Sequence, residues 1–493
     1  MKILSSSIIT TICFAACSLA AAAEPIAIGS RRELFVDRYL IDKLDGTAAL
    51  HLHRPIDRGQ VLAFDAPWEG PFCAYGTVIK TPDRYQMYYR GKADAKGDQD
   101  ASQVTCYAES VDGITWTKPA LDLFPRSGRD KTNIVLADAA PVTHNFAPFI
   151  DERPGAKPDE KYKAVGGYHE TGLVAYASPD GIRWRKMRDE PVLTKEQVQK
   201  SFVFDSQNVP FWSEAEGKYL LYYRVYKDKK RRIARVESDD FLTWKNPTLM
   251  EYAGADGKPA PIEELYTNQT HPYFRAPHLY VSTAARFMIN RRVLTTQQAE
   301  EIKVNPKYFN DTSDAVFMTS RGGAIYDRTF MEAFVAPGIG YENWTSRTNY
   351  PACGVVQTGP AEMSVYVNQN YGQPTSHLRR YSLRLDGFAS INAGYDGGEM
   401  ITKPLTFAGS KLLLNFATSA AGGVRVEIQQ VDGTPIPGFA LADCQELIGN
   451  EIERPVAWAG GNLSKLAGQP VRLRFVMKDA DVFAIRFAPA EGN

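Results

Sequence analysis

The sequence has no excess of charge of either sign. Its 493 residues contain 57 lysines and arginines against 57 aspartates and glutamates, so the formal net charge at pH 7 is zero. Nucleic acids and anionic membrane surfaces are bound by strongly basic faces, which a balanced composition does not favour. We therefore expect no nucleic-acid partner.

Cysteine is scarce, and its spacing fits no metal or redox motif. Beyond residue 23 only Cys73, Cys106, Cys353 and Cys444 remain. Zinc ribbons and dithiol redox sites need cysteines a few residues apart, and these four are widely separated. We interpret them as buried small side chains, with a Cys73–Cys106 disulfide as the alternative in an oxidising compartment.

Long apolar runs are absent except at the N-terminus. Lys2 precedes the mostly apolar residues 8–19, and three alanines precede Glu24. This pattern predicts a signal peptide over residues 1–23, since the apolar run is too short to span a membrane. We expect an exported protein, periplasmic or secreted, with no membrane span. An imperfect lipid-attachment box that ends at Cys17 leaves a lipoprotein as the alternative.

A repeated turn dominates the rest of the chain. The pattern Ser-x-Asp-Gly-x-x-Trp begins at Ser110 and Ser178, recurs at Ser238 with Phe in place of Gly, and has weaker copies at Ser320 and Ser382. Each copy follows a Tyr-rich or apolar strand, and Asp-Gly between alternating strands indicates a tight turn. The interval of roughly 60–80 residues suits a four-stranded blade with loops. Five copies predict an all-β fold, a five-bladed β-propeller followed by a small C-terminal β-sandwich.

The predicted boundaries place the propeller at residues 24–395 and the sandwich at residues 396–493. The short apolar strand at residues 34–42 stands before the first repeat, and we expect it to complete an outer edge or close the ring. Thr194 and Thr295, each followed three residues later by Gln, predict two short capped helices, interpreted as insertions between blades.

Residues at the entrances of the innermost strands of a propeller converge on one funnel. The polar and aromatic side chains at these entrances suit a carbohydrate. Cleavage of a glycosidic bond in such a substrate needs two carboxyl groups in the funnel, one protonated and one ionised. The catalytic candidates are Asp205, which follows an apolar strand, Glu69 and Glu264. A structural turn remains the alternative for Asp205, a cap or an arginine pair for Glu69, and a simple loop charge for Glu264.

The entrances also predict a set of substrate-binding residues, because fixed polar groups and aromatic rings suit a carbohydrate. These candidates are His144, Asn145, Gln207, Asn208, Asn268, His271, Arg275, His278, Tyr350 and Glu362. The histidines lack the tight spacing of a metal site, so we predict no metal and no cofactor. Arg90, Arg224 and Arg275 suit an acidic sugar, with arginine–acid pairs between blades as the alternative.

These features resemble the five-bladed propeller glycoside hydrolases of the invertase, arabinanase and mannoside-phosphorylase types. Residues 34–41, 144–149 and 379–388 look like stretches of exported propeller proteins common in planctomycete-type bacteria. By this resemblance Asp205 stands where the invertase group has its acidic Glu-Cys-Pro. His144-Asn145 replaces an Arg-Asp pair, and the first acid has no match unless Glu69 substitutes.

The sequence thus predicts an exported glycoside hydrolase that cleaves a polysaccharide or oligosaccharide by a two-carboxylate mechanism. Two alternatives remain open. A non-catalytic glycan-binding protein is favoured by the missing acids. A polysaccharide lyase would use His and Tyr or Arg to remove a proton beside a uronate carboxylate.

Overall fold

A computed structural model describes residues 24–97, 100–198 and 202–489, and their regular secondary structure is almost entirely β-strand. The predicted signal peptide and its lipid-attachment alternative lie outside the described residues. No helix in the described part of the chain is long and apolar enough to cross a membrane.

Five antiparallel sheets follow one another along the chain and form five blades. Their strands, from the inner strand outward, are as follows. Blade 1 has Ala74–Lys80, Tyr85–Gly91, Val104–Ser110 and Ile134–Leu136. Blade 2 has Ala147–Ile150, Tyr162–Tyr168, Gly172–Ser178 and Arg185–Lys186. Blade 3 has Val209–Ser213, Lys218–Lys227, Lys230–Ser238 and Trp244–Leu249.

Blades 4 and 5 have interrupted inner strands. Blade 4 has Leu265–Thr267 with Thr270–Tyr273, then Ala276–Met288, Thr312–Ser320 and Ile325–Arg328, and Glu251–Gly254 adds a parallel outer strand. Blade 5 has Tyr350–Pro351 with Val356–Gln357, then Glu362–Gln369 and His377–Arg384, and its outer strand is Ile56–Ala63.

The five blades close into a ring around a central axis. Inner strands of neighbouring blades contact each other in order, and blade 5 contacts blade 1 through a parallel bridge between Cys353 and Thr77. Backbone hydrogen bonds join Val78 N to Cys353 O (2.7 Å) and Cys353 N to Gly76 O (2.8 Å). All five inner strands line one axial cavity of about 340 Å³. The predicted five-bladed propeller is confirmed.

The strand that closes the ring is not the predicted one. Ile56–Ala63 pairs with His377–Arg384, so the N-terminal part of the chain supplies the last strand of the last blade. The apolar segment 34–42 instead contributes to the second module: Arg32–Leu34 and Ile41–Gly46 pair with strands near the C-terminus. Ile41 is buried in the core of that module, whereas Leu34 packs with buried residues of blades 4 and 5 at the junction of the two modules.

The repeated turns join the third and fourth strands of blades 1 to 3. In each, the serine Oγ accepts the backbone N–H three residues on, at 2.8–2.9 Å. The aspartate Oδ1 accepts the two N–H groups after that, at 2.7–2.8 Å. Trp116 then packs edge-on against Tyr366 of blade 5, and Trp184 against Tyr88 of blade 1. The turn therefore fixes a blade to its neighbour.

The second module is a single sheet that folds on itself around one apolar core. Its strands are Arg32–Leu34, Ile41–Gly46, Ala49–Leu52, Ala389–Ala393, Gly398–Thr402, Lys411–Gln429, Asn450–Pro455 and Arg472–Ala488, and Ile26–Gly29 pairs with Leu405–Phe407 beside it. The pairing of the two longest strands shifts register between Thr418 and Gly423, where they pass from one half of the sheet to the other. The predicted boundary at residues 395/396 differs from this arrangement, because strands from residues 26–52 complete the C-terminal sheet.

The described residues contain two short α-helices, Lys195–Val198 and Thr296–Glu301, and three 3-10 turns, Val142–His144, Pro158–Glu160 and Leu463–Leu466. The capping box predicted at Thr295 is confirmed: Gln298 N donates to Thr295 Oγ1 (3.1 Å), and Thr295 N donates to Gln298 Oε1 (3.0 Å). This helix lies within blade 4, between its second and third strands, and not between blades.

Candidate functional site

The entrances of the inner strands have unusual backbone conformations. Tyr75, Phe204, Gln269 and Asn349 stand at four of the five entrances, with φ between +49° and +64°. Such conformations cost a non-glycine residue roughly 1–3 kcal/mol and concentrate at functional sites. The strain marks this end of the propeller as the candidate site.

The side chains that converge at this end form one group, called here the entrance cluster. It comprises Tyr75, Arg90, His144, Asp205, Arg224, Tyr266, Arg347 and Tyr371, drawn from all five blades and the segment that leads into blade 5. Arg90 lies over the ring of Tyr75 (4.7 Å) and donates to Tyr371 Oη (3.2 Å). Aromatic rings and guanidinium groups therefore alternate around the entrance.

Asp205 supplies a carboxylate to this cluster. Its side chain is 19% exposed, and Oδ2 accepts a hydrogen bond from Nη2 of Arg224. Burial lowers the pKa of Arg224, but the charge of Asp205 offsets this, and the pKa stays above its ordinary value. The pair therefore presents a partly exposed carboxylate, positioned by an arginine, at the mouth of the propeller.

His144 is buried between blades 1 and 2. Its Nδ1 lies 2.9 Å from Oε1 of Gln103, and its Nε2 lies 3.2 Å from Nη1 of Arg90. Burial lowers the pKa of His144 well below its ordinary value, and the charges of Arg90, Lys92 and Arg224 lower it further. The imidazole is neutral, donating from Nδ1 to Gln103 and accepting at Nε2 from Arg90.

Tyr266 is surrounded by guanidinium groups. Arg347 Nε donates to its Oη (3.2 Å), and the guanidinium carbons of Arg224 and Arg231 lie 4.8 and 5.0 Å from its ring centroid. Burial raises the pKa of this phenol, but the charge of Arg347 lowers it, and the net pKa is below the ordinary value. Neighbouring Tyr350, 5.3 Å away between centroids, has its pKa raised by burial. Tyr266 is the phenol suited to proton transfer.

Two glutamines form a belt across the axis beneath the entrance cluster. Gln207 Nε2 donates to Thr77 Oγ1 (2.7 Å) and Tyr75 O (3.2 Å). Gln269 Nε2 donates to Gln207 Oε1 (2.8 Å) and Pro351 O (2.8 Å). Blades 1, 3, 4 and 5 are joined by these bonds. Gln207 is thus a structural cross-link beneath the cluster, and the prediction that it binds substrate is not supported by its position.

His271 lies below this belt and lines the axial cavity. Its Nδ1 lies 2.9 Å from Gln269 O, and its Nε2 accepts from Val355 N (3.0 Å). Burial lowers the pKa of His271 to about 4, against a smaller opposite effect of the Gln269 carbonyl. A neutral imidazole therefore links blade 4 to blade 5, away from the entrance.

Glu69 is not part of the entrance cluster. It is buried inside blade 1, where Oε1 accepts from Tyr89 Oη (2.5 Å) and Oε2 accepts from Lys118 Nζ (2.6 Å). A carboxylate satisfied in this way cannot exchange protons with a substrate at the entrance. The structure does not bring Glu69, predicted as the second catalytic acid, to the entrance. Of its alternatives, the loop cap is present, since Ala66 N donates to Glu69 Oε2 (3.0 Å), whereas its cation is a lysine and not an arginine.

Glu264 and Glu362 are also held by cations. Glu264 Oε2 accepts from the backbone N and the Nη1 of Arg231, both at 3.0 Å. Glu362 Oε1 accepts from Arg380 Nη1 (2.7 Å) at the far end of the second strand of blade 5. Glu264 borders the cluster through Arg231, whereas Glu362 is remote from it.

Arg275 and His278 lie at the opposite end of blade 4, against the second module. Arg275 pairs with Asp386 (3.2 Å) and Glu453 (2.8 Å), and His278 Nε2 lies 3.1 Å from Glu33 Oε1. Burial raises the pKa of Glu33, but the neighbouring His278 and Arg321 lower it to about 2. Both predicted substrate contacts are therefore module-interface residues.

Three asparagines bind backbone and not the entrance. Asn145 Nδ2 donates to Gly167 O, Phe204 O and Ser206 O at 2.7–2.9 Å and thereby ties blade 2 to the approach of blade 3. Asn208 Nδ2 donates to carbonyls of its own turn, and Asn268 Nδ2 to Tyr222 O. These side chains shape the entrances from within.

In the described part of the chain, no group of three or more His, Cys, Asp or Glu side chains is placed to hold a metal ion. The four described cysteines are free and buried, which agrees with their interpretation as buried small side chains and not with a Cys73–Cys106 disulfide.

No protein-family model matches the chain, and no curated protein matches it either. Solved structures of similar shape include one described as a glycoside hydrolase, 12% identical over 67% of this chain and 92% of that chain, with a TM-score of 0.45. A second is a family 43 arabinoxylan arabinofuranohydrolase from Bacillus subtilis, in complex with cellotetraose. It is 12% identical over 87% of this chain and 98% of that chain, with a TM-score of 0.41. A third is an N-acetylgalactosamine deacetylase from F. plautii, in complex with blood group B trisaccharide. It is 11% identical over 69% of this chain and 96% of that chain, with a TM-score of 0.42.

Of the predicted site residues, the structure places Asp205 and His144 in the entrance cluster together with Arg90 and Arg224, and Tyr350 lies against Tyr266 at its border. Sequence reasoning missed Arg347, Tyr371 and the role of Tyr266. Tyr266 had a signal, since it directly precedes the entrance of blade 4. Arg347 lies in a loop with no motif, and nothing in its local sequence distinguishes it.

Proposed function

We propose that the protein is a carbohydrate-active enzyme of the glycoside hydrolase type whose substrate binds at the entrance cluster. The observation that carries the proposal is the Asp205–Arg224 pair: a partly exposed, charged carboxylate at the convergence of five strand entrances. Tyrosine rings and fixed polar groups flank it, as a sugar ring with its hydroxyl groups requires.

Glycosidic cleavage requires one group to protonate the leaving oxygen and another to act as base or nucleophile. In our proposal Asp205, charged beside Arg224, is the base or nucleophile. Tyr266, a phenol with a lowered pKa that shares Arg224 with Asp205, is the proton donor. Within the described residues no second carboxylate contacts this pair, so Tyr266 takes the place assigned to Glu69.

Substitution of Asp205 tests the proposal. Asp205→Asn keeps the shape and removes the charge, so we expect kcat on a cleaved glycan to fall by roughly 10²–10⁴-fold. Asp314→Asn is the matched control: Asp314 is 17% exposed and pairs with Arg286, but it lies in the third strand of blade 4. Full activity of Asp205→Asn, or an equal loss in Asp314→Asn, would refute the assignment.

A non-catalytic glycan-binding protein is the second candidate. It is favoured by one observation: in the described ranges Asp205 has no carboxylate partner, whereas most glycoside hydrolases use two. Calorimetry and product analysis on a common panel of polysaccharides separate the candidates. Binding without any released product selects the binding protein.

We also propose that the protein is exported. The support is the charged, apolar and small-residue order of residues 1–23. N-terminal sequencing of the protein recovered from the periplasm or medium tests this, and the expected first residue is Glu24. A mature chain that starts at a lipid-modified Cys17 would select the lipoprotein, and an uncleaved cytoplasmic chain would contradict export.

A further inference from the structure

We infer that the entrance cluster recognises a sugar that carries a carboxylate, and that Arg347 is the residue that binds this carboxylate. The inference rests on the proposed function and adds to it the class of substrate, a uronate-type saccharide.

Arg347 is held in an unusual and rigid position. Its φ of +60° is left-handed, a costly conformation for a side chain of this size. Its guanidinium carbon lies 4.9 Å from the ring centroid of Tyr308 and 5.6 Å from that of Tyr266, and Nε donates to Tyr266 Oη. Two tyrosines and the backbone thus fix the direction of the guanidinium group.

The charge of Arg347 has no carboxylate to balance it within the described residues. The neighbouring cations do have one: Arg224 pairs with Asp205, and Arg231 pairs with Glu264. The Nε of Arg347 is bonded to Tyr266, and its two terminal nitrogens have no hydrogen-bond partner in the described ranges, while the side chain remains partly accessible. Those two nitrogens are the fork that binds a carboxylate in a bidentate manner.

A second observation points to a ligand at the same place. Arg224 is buried, and among the described residues neither its Nε nor its Nη1 has a hydrogen-bond partner. A buried charged donor without a hydrogen-bond partner is costly, so native structures rarely leave one unsatisfied without a function. The positive potential also lowers the pKa of His144, where burial is the larger cause and Arg224 and Arg347 add to it.

These features define the geometry of recognition. A carboxylate bound at Arg347 brings its sugar next to Tyr266, whose ring also contacts Arg224, the partner of Asp205. A neutral sugar would leave the Arg347 charge uncompensated as it displaces water, which disfavours binding. The site therefore discriminates by charge.

The test compares a uronate oligosaccharide with the neutral oligosaccharide of the same linkage, for the wild type, Arg347→Gln and Arg347→Lys. The quantity measured is the ratio of kcat/KM for the uronate to that for the neutral sugar, because this ratio cancels any effect of Arg347 on Tyr266. We expect wild type to prefer the uronate, Arg347→Gln to lower the ratio by about 10–100-fold, and Arg347→Lys to lower it less, since lysine keeps the charge but lacks the fork.

Arg292→Gln is the matched control, because Arg292 also stacks on an aromatic ring (Phe309, 4.7 Å) but lies outside the cluster. The ratio of kcat/KM for the uronate to kcat/KM for the neutral sugar should be the same in Arg292→Gln as in wild type. If Asp205→Asn binds both sugars without cleaving them, the two affinities can be measured directly by calorimetry. The ratio of the affinity for the uronate to that for the neutral sugar is then compared between Asp205→Asn and the Asp205→Asn/Arg347→Gln double variant.

The outcomes separate this inference from the proposed function. Cleavage of both sugars with no preference, or a ratio unchanged in Arg347→Gln, overturns the inference and leaves the function standing. A stronger effect on a sulfated than on a carboxylated sugar overturns the carboxylate assignment. A product with an unsaturated, ultraviolet-absorbing uronide supports the inference but replaces hydrolysis by β-elimination. A uronate that neither binds nor reacts overturns the inference; the function also fails if no neutral glycan binds or reacts.

Discussion

At the scale of single residues, arginine decides the chemistry of the entrance. Arg224 pairs with Asp205, and the charge of Arg347 lowers the pKa of Tyr266, whereas burial raises the pKa of neighbouring Tyr350 and Tyr371. The same type of side chain thus contacts both of the residues that we propose as base and acid.

Tyr266→Phe removes only the hydroxyl that we assign as proton donor. We expect kcat to fall by roughly 10²–10³-fold with little change in KM, because a positioned acid acts mainly in the transition state. Tyr88→Phe is the control, since the Tyr88 hydroxyl is buried in blade 1 and has no hydrogen-bond partner among the described residues. A Tyr266→Phe enzyme with wild-type kcat would contradict the role.

His271 predicts a pH-dependent contribution to stability. Its pKa is about 4 in the folded protein against an ordinary 6.5, so the unfolded chain binds more protons between these values. Stability from this group is therefore present above pH 6.5 and is lost as the pH falls to about 4, by up to about 3 kcal/mol. Urea unfolding at both pH values should show a weaker pH dependence for His271→Gln than for wild type.

Exposed His51→Gln serves as the control for that comparison and should retain the wild-type pH dependence. Equal pH dependence of wild type and His271→Gln would show that the Val355 and Gln269 contacts do not hold the imidazole neutral.

At the scale of the element, the repeated turn was readable from sequence because everything it needs is local. Ser110, Asp112 and Gly113 bond within seven residues, and Trp116 supplies the contact to the next blade. Glu69 was misread for the opposite reason: its partner Lys118 is 49 residues away, and only the folded blade brings the two together. Ile56–Ala63 was missed as a strand since only one of its eight residues is buried and its partner strand is far along the chain.

Phe241 tests which force dominates in this turn. It occupies the left-handed position (φ +70°) that Gly113 and Gly181 fill in the other copies. Glycine would relieve roughly 1–3 kcal/mol of strain, but the buried ring packs on Trp244 and Phe149, and its loss costs about 3–5 kcal/mol.

We therefore expect Phe241→Gly to destabilise the protein by about 2 kcal/mol in urea unfolding, the difference between these two effects. Gly181→Ala should also destabilise it, because a Cβ there would lie 2.4 Å from Tyr88 Oη. A stabilised Phe241→Gly would mean that backbone strain outweighs core packing in this turn.

At the scale of the molecule, strands from residues 26–52 and from residues 389–488 share the sheet of the second module. Residues 26–52 complete its sheet and Ile56–Ala63 completes blade 5, so the N-terminal segment ties the two modules into one folding unit. A composition change near residue 397 indicated the second module, but no local pattern reveals that strands some 350 residues earlier belong to it.

Asp386 is the buried carboxylate that joins the two modules. It accepts from Tyr273 Oη (2.8 Å) and Asn415 Nδ2 (3.0 Å), and it pairs with Arg275 (3.2 Å) and Arg32 (3.3 Å). Removing its charge leaves two arginines without this partner in the interface, so Asp386→Asn should cost about 3–5 kcal/mol.

Asp57→Asn breaks a more exposed pair with Arg379 and should cost only about 0–1 kcal/mol. Because both modules depend on Asp386, we expect its variant to unfold in one transition at lower urea, or in two if the modules separate. Equal midpoints for Asp386→Asn and Asp57→Asn would show that the buried charge of Asp386 does not stabilise the interface between the propeller and the second module.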